Sequence, residues 1–306
     1  MTLPKSAQAK PVPPSVADRA KKLLADPAKR IDLDALVNEV LGAALDALSQ
    51  EKFPPTGDNP DKENFSKRIA AYEAAIADLL PLVILLARWG DEEGRLQLEK
   101  IIARAAETAP DGGGTVVWLR LRWYPVWMLI YAAGIAASAA QRHALLGAVL
   151  TLPVPEDASQ ASSPLKPVVL PASSRLFDVA DGFKWLPGHE QQRVPLSEHL
   201  FAQLKPLFDE MLFLGAGYER HFDRFEVVTA LVIADLNSRE REGHIWAPPG
   251  RYVWKAERRS NPFTALHGEA EAAGAQWPPL AAGLFKGSLA HFQKVAEGFG
   301  KYLSRW

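Results

Sequence analysis

Apolar residues recur every three or four positions along most of this chain, a spacing that predicts helices. In IDLDALVNEVLGAALDAL, Leu33, Leu36, Val37, Val40, Leu41, Ala44, Leu45 and Leu48 fall on one face. SVADRAKKLLAD begins with Ser15 and Asp18 in a capping-box-like start, and Pro27 closes it. A long helical pattern follows from Lys62 to about Trp89, with a bend expected at Pro81, and a shorter one runs from Glu92 to Ala106. PDGGG at 110–114 breaks the pattern. TVVWLRLRWY alternates briefly, as a strand would, but flows without a turn into the apolar stretch that follows, so helix is favoured. RHALLGAVL continues helical to about Leu150. Further on, residues 195–212 read as a helix with Ser197 as N-cap. Residues 217–238 read as another, with Phe222, Phe225, Val228, Leu231, Val232 and Leu236 along one side.

Two segments have other periods. HIWAPPGRYVWK, residues 244–255, places short aromatic β-formers on either side of Pro-Pro-Gly, the pattern of a type II turn and a small hairpin. At the end of the chain, Phe285, Leu289, Phe292, Ala296, Phe299, Leu303 and Trp306 alternate at four and three residues, an a/d seam. Lys286, Lys294, Lys301 and Arg305 lie off that seam. Gly287, Gly298 and Gly300 cost such a helix roughly 1 kcal/mol each relative to alanine, so it needs a surface to pack on. The chain's own bundle is the expected surface, ahead of a partner or a membrane.

YPVWMLIYAAGIAASAAQR, residues 124–142, decides the class. No residue from Trp123 to Gln141 is charged, which approaches the ~20 residues a bilayer helix needs. Its second half is mostly small residues and only mildly hydrophobic, however, and Pro125 suits the first turn of a soluble helix. Ala133, Gly134, Ala137 and Ser138 form a small-residue strip that lets neighbouring helices approach closely. A helix apolar on all sides belongs at the centre of a large fold, and no transmembrane segment is expected.

The fold expected is therefore all-α: two packed helical halves with one small β-hairpin near 244–255. Residues 1–14 read as a flexible arm and 15–152 as an N-terminal half. Pro- and Ser-rich residues 153–174 read as a linker, and 175–306 as a C-terminal half.

Composition narrows the chemistry. The net charge is −1, so no overall field draws the chain to nucleic acid or anionic lipid. The absence of cysteine excludes disulfides, thiolate nucleophiles and Cys-ligated zinc, and it suits a reducing compartment. With no signal-peptide core at the start, a cytoplasmic location is expected. There is no HExxH, no P-loop around DGGGT and no G-x-S-x-G, so no metal, cofactor or catalytic residue is assigned. His199 and the pair His221/Asp223 are the metal or acid–base candidates, and an undiscovered hydrolase centred on His199 or His221 is the third functional reading. In YERHFDRFE, however, Glu219, Asp223 and Glu226 alternate with Arg220 and Arg224, with Arg220 and Asp223 at i, i+3, and the run reads as a salt-bridged solvent face.

Two groups carry the binding readings. Trp246, Arg251, Tyr252 and Trp254 combine the residue types that anchor protein interfaces. Their bland alternative is a tongue folded onto the core. Arg120 and Arg122, beside Trp118 and Trp123, are the alternative ligand site, an arginine–aromatic platform for a nucleotide or nucleic acid. On a helix the two arginines point to different faces, which favours a structural role.

The stretches VVWLRLRWYPVWMLIYAAGIAASAAQRHALLGAVL, HFDRFEVVTALVIADL, WAPPGRYVWK and LAAGLFKGSL together resemble uncharacterised helical regions of bacterial proteins. Such regions occupy the C-terminal part of multidomain effectors in anti-phage and other conflict systems. The likeness spans about residues 30–295, and its motifs are structural, so it implies no active-site residue. Here no effector module stands ahead of the helices, which implies a stand-alone version or a partner enzyme that supplies the chemistry. The leading expectation is a non-enzymatic sensor or scaffold acting through a protein partner. Nucleotide or nucleic-acid binding is the alternative.

Overall fold

Every residue from Trp123 to Ser138 is buried, and the rest of the chain is arranged to make that so. The computed structural model describes residues 14–109, 112–160, 162–255 and 261–304. The arm expected at 1–14 therefore lies almost entirely outside the described residues. The apolar helix is α7 (Trp123–Ala139). Around it pack α4 (Leu79–Trp89), α5 (Glu92–Glu107), α8 (His143–Leu150), α9 (Val169–Phe177) and α11 (Tyr218–Glu240). With neighbours on every side, α7 has no polar face to keep.

It meets α11 closely at Gly134. A Cβ placed on Gly134 would lie 1.9 Å from the Phe225 ring, so the small-residue strip is what lets these two helices touch. Among the described residues no single helix is long and apolar enough to cross a membrane. The pair α3 (Lys62–Ala75) and α4 has the length and composition but bends by 53° at its break. That break falls at residues 76–78, ahead of Pro81, which occupies the first turn of α4, where its missing N–H costs nothing.

The remaining helices complete an all-α fold. On the N-terminal side are α1 (Val16–Leu24), α2 (Arg30–Ala47) and the short α6 (Val116–Leu121). On the C-terminal side are α10 (Pro195–Leu212), α12 (Pro262–Ala273), α13 (Pro278–Ala281) and α14 (Leu289–Leu303). Leu33, Leu36, Val37, Val40, Leu41 and Ala44 of α2 are buried, as their spacing predicts. α14 turns Phe292, Val295, Ala296 and Phe299 inward and packs on α11 and α12. Phe285 belongs to a tight turn before it, with positive φ at Phe285 and Lys286, and Trp306 lies outside the described residues.

Among the described residues one small hairpin is present, but not at 244–255. It pairs β1 (Pro153–Pro155) antiparallel with β2 (Leu165–Pro167), inside the stretch expected to be a linker, which also holds the start of α9. Residues 244–250 are extended coil, and Arg251–Lys255 form a 3-10 turn. Trp246 packs edge-on against Phe177 of α9 and Arg193 lies over Trp254, so these aromatics do not pair with one another across a turn. One continuous hydrophobic cluster runs from α1 to α14.

Candidate functional site

The expected solvent face of α11 is the point where sequence and structure part. Glu219 and Arg220 are exposed, but Asp223 and Glu226 are each only 3% exposed. A helix embedded on nearly all sides has no room for a full polar stripe, so its inner carboxylates need partners inside the protein.

Glu226 finds three. Ser197 Oγ donates to its Oε1 at 2.6 Å and the Tyr131 hydroxyl donates to the same oxygen at 2.9 Å. The backbone N–H of Arg251 donates to Oε2 at 3.0 Å and is shared with Ser197 Oγ at 2.9 Å. Ser197 is thus a ligand of the glutamate and not the N-cap of α10, which begins at Pro195 after Val194. Gly250 is required beside it, since a Cβ there would meet Glu226 Oε2 at 2.4 Å. The Pro-Pro-Gly sequence therefore carries the backbone up to a buried carboxylate.

Among the described residues no lysine, arginine or histidine side chain forms an ion pair with Glu226. Burial raises its pKa to about 7, against the opposing pull of the Ser197 and Tyr131 hydrogen bonds. A carboxyl poised near neutrality in a closed environment marks a functional-site candidate when a cavity lies beside it.

Such a cavity is there. About 430 Å³ of space adjoins Glu226, between α7, α9, α10, α11 and the 244–255 strap. Its walls are mainly apolar and aromatic, with Trp127, Tyr131, Phe177, Ile233 and Tyr252 among them. Two polar residues of the lining, Thr229 and Tyr252, each 2% exposed, keep their hydroxyl oxygens buried without a hydrogen-bond partner. Burial pushes both tyrosine hydroxyls, Tyr131 and Tyr252, well above their ordinary pKa, so they remain neutral donors. Asp181, Lys184 and Arg193 stand at the more exposed end. An apolar enclosure with few convergent polar groups is the usual form of a small-molecule site.

The residues singled out from the sequence sit elsewhere or in other roles. Trp246 is half-buried, its ring edge-on to Phe177 at 5.2 Å. Arg251 turns its guanidinium away from the cavity, 3.7 Å above the Phe201 ring, towards Glu198, Glu219 and Asp223. Lys255 shares the last two carboxylates. Tyr252 is buried in the cavity wall, and Trp254 is 40% exposed, with Arg193 over its ring. Only part of the predicted interface patch therefore faces outward. Arg122 is 4% exposed and donates to the carbonyls of Thr108 and Phe53, while Arg120 pairs with Asp178 at 3.3 Å. The two do not make one platform.

His199 is 5% exposed and lodged between Glu73, at 2.7 Å, and His189, at 3.3 Å, with the Tyr124 hydroxyl donating to the same glutamate. His221 lines a second hollow of about 850 Å³ with His143. Burial lowers the pKa of both. The charges around that hollow largely satisfy one another, Arg224 with Glu269 and Lys255 with Glu219 and Asp223. No group of three or more His, Asp or Glu side chains among the described residues is placed to hold a metal ion.

Comparison with known proteins finds no matching family model, no matching curated protein and no matching solved structure. Any reading of function therefore rests on the site itself.

Sequence reasoning missed Glu226 because its letters match a surface ion-pair pattern. The one available signal was Pro-Pro-Gly, a rigid approach ending in a residue without a side chain, which marks a close backbone contact.

Proposed function

We propose that this protein is a small-molecule sensor: a helical module that binds an organic ligand in the cavity beside Glu226. The observation that carries the reading is a carboxyl group buried without an ion-pair partner at the edge of a mainly apolar space. Isolated buried charge is costly, and it is retained where a ligand uses it.

The 244–255 strap links the cavity to the surface. Pro248, Pro249, Gly250 and Tyr252 line the ligand space, while Trp254 is on the outside. Ligand occupancy would thus be felt at the residue best placed to meet a protein partner. The resemblance to conflict-system effector regions would couple such a sensor to a separate effector enzyme. Catalysis is not part of the proposal, because Ser197 Oγ is held between Glu226 and the Arg251 N–H.

The test is a thermal-shift screen of a chemically broad metabolite set against wild type and Ala180→Trp. Ala180 is a half-buried residue of the cavity wall, so the indole plugs the space with little disturbance of the core. Compounds that stabilise wild type and lose their effect on the folded variant support the reading. A set with no binder, or binders indifferent to the plug, refutes it.

A further inference from the structure

We propose that the ligand of this cavity is an organic cation, a protonated amine or amidine on an apolar body, held by ion pairing to Glu226. The inference rests on the small-molecule reading above and specifies its chemistry.

Each observation bears on charge. Glu226 receives three hydrogen bonds, all donated to it, from Ser197, Tyr131 and the Arg251 backbone. Donors converging on both oxygens favour the ionised form. No side-chain cation of the described protein forms an ion pair with that carboxylate: the Arg251 guanidinium attracts it only from a distance and makes its contacts to Glu198, Glu219 and Asp223. The carboxylate has about four acceptor positions, so capacity remains on Oε2 for a further donor. A bound ammonium or amidinium supplies both the missing donor and the missing charge.

The walls fit the same chemistry. Trp127 and Tyr131 lie 5.2 Å apart and inclined at 57°, and Phe177 and Tyr252 are the other aromatic rings of the lining. Aromatic faces attract cations and accept an apolar body equally well. An anionic ligand would instead place a second negative charge beside Glu226 in a medium that screens poorly.

Binding is then linked to protons. A cation selects the ionised glutamate, so uptake near pH 7 releases a proton, and affinity rises with pH. The charged and titratable groups that face Glu226 are Tyr131 from α7, Arg251 and Tyr252 from the strap, and Asp223 and Tyr218 on its own helix. Asp181, Lys184 and Arg193 stand further out on the cavity wall. No histidine lines this cavity among the described residues.

The experiment compares three probes of one shape, phenethylammonium, phenethyl alcohol and phenylacetate, by calorimetry on the intact protein at pH 6 and pH 8. Phenethylammonium alone should bind well at pH 8, about tenfold more weakly at pH 6, with proton release seen as a dependence of the heat on the buffer. Glu226→Gln should weaken it roughly tenfold or more and leave the alcohol unchanged. The proton-release measurement needs no variant and keeps the test decisive should Glu226→Gln misfold. Equal or better binding of the alcohol or the carboxylate overturns the cation assignment and leaves the cavity reading standing. Failure of phenethylammonium while other compounds bind and are blocked by Ala180→Trp has the same meaning. Absence of any binder removes both.

Discussion

Replacing Gly134 by alanine tests the helix contact on which the site depends, because two physical effects predict opposite signs. Alanine is the better helix former by about 1 kcal/mol, so at an open position the change would stabilise α7. At this position the new methyl would lie 1.9, 2.5 and 2.6 Å from three atoms of the Phe225 ring. Ordinary contact begins near 3.4 Å, so about 1.5 Å of separation must be found. Phe225 is fully buried and packed edge-on against Tyr131 with centroids 4.9 Å apart, so its ring has nowhere to go. Overpacking a tight core typically costs 1–3 kcal/mol, and a clash this close belongs at the upper end. After the helix-propensity gain, a net loss of about 2 kcal/mol remains. Unfolding entropy of roughly 2 cal/mol/K per residue turns that into a fall in Tm of about 3 °C. Phe225 adjoins Glu226 in sequence, and Tyr131 donates to that glutamate, so the same substitution should also weaken ligand binding. Scanning calorimetry of Gly134→Ala, Phe225→Leu and the double variant provides the measurement. The double variant should lose less than the two singles together, because the smaller side chain vacates the space the methyl needs. A Tm unchanged or raised in Gly134→Ala alone would show that propensity wins, and that α7 and α11 do not touch there.

Two further expectations follow from the site and the bundle. Glu226 keeps its proton up to about pH 7 in the folded chain but releases it near its ordinary value of 4.5 when unfolded. Its contribution to stability is therefore fully present below pH 4.5 and is lost as pH rises to about 7, by roughly 3 kcal/mol. Denaturant titrations from pH 5 to pH 8 should show that decline in wild type and a shallower one in Glu226→Gln; parallel slopes would mean the carboxyl is not held in the way described. Asp223, also raised by burial, contributes a slope of the same sign, so the difference between the two proteins is the informative quantity. For α14, deleting residues 289–306 should uncover the faces of α11 and α12 that Phe292, Val295 and Phe299 cover, giving an aggregating product that binds hydrophobic dyes. A truncated protein that stays monomeric and equally stable would show that the helix contributes no burial to the bundle.

What the sequence determined by itself is the helical class and much of the burial. The spacing of Leu33, Leu36, Val37, Val40, Leu41 and Ala44 defines one face of α2, and that face is buried. The uncharged run that became α7 announced a central helix, and Gly134 within it announced a close crossing. These are local properties, because hydrophobic period and side-chain size act within one element. The hairpin's location was not local in that sense. Pro-Pro-Gly at 248–250 has the letters of a turn but serves as an approach to a carboxylate, while two three-residue strands pair across 153–167. Glu226 is the clearest case. It closes a charged run, Glu219, Arg220, Asp223 and Arg224, that reads as a solvated face, and the run alone does not distinguish an inward glutamate from an outward one. Its ligands come from Tyr131, Ser197 and Arg251, which lie 95, 29 and 25 residues away in the chain. Only the packing of α7, α10 and the strap around α11 brings those donors together and excludes water from the carboxyl. Periodicity fixes which residues need burial; the identity of the polar group that goes in with them is decided by what surrounds it once the helices have closed.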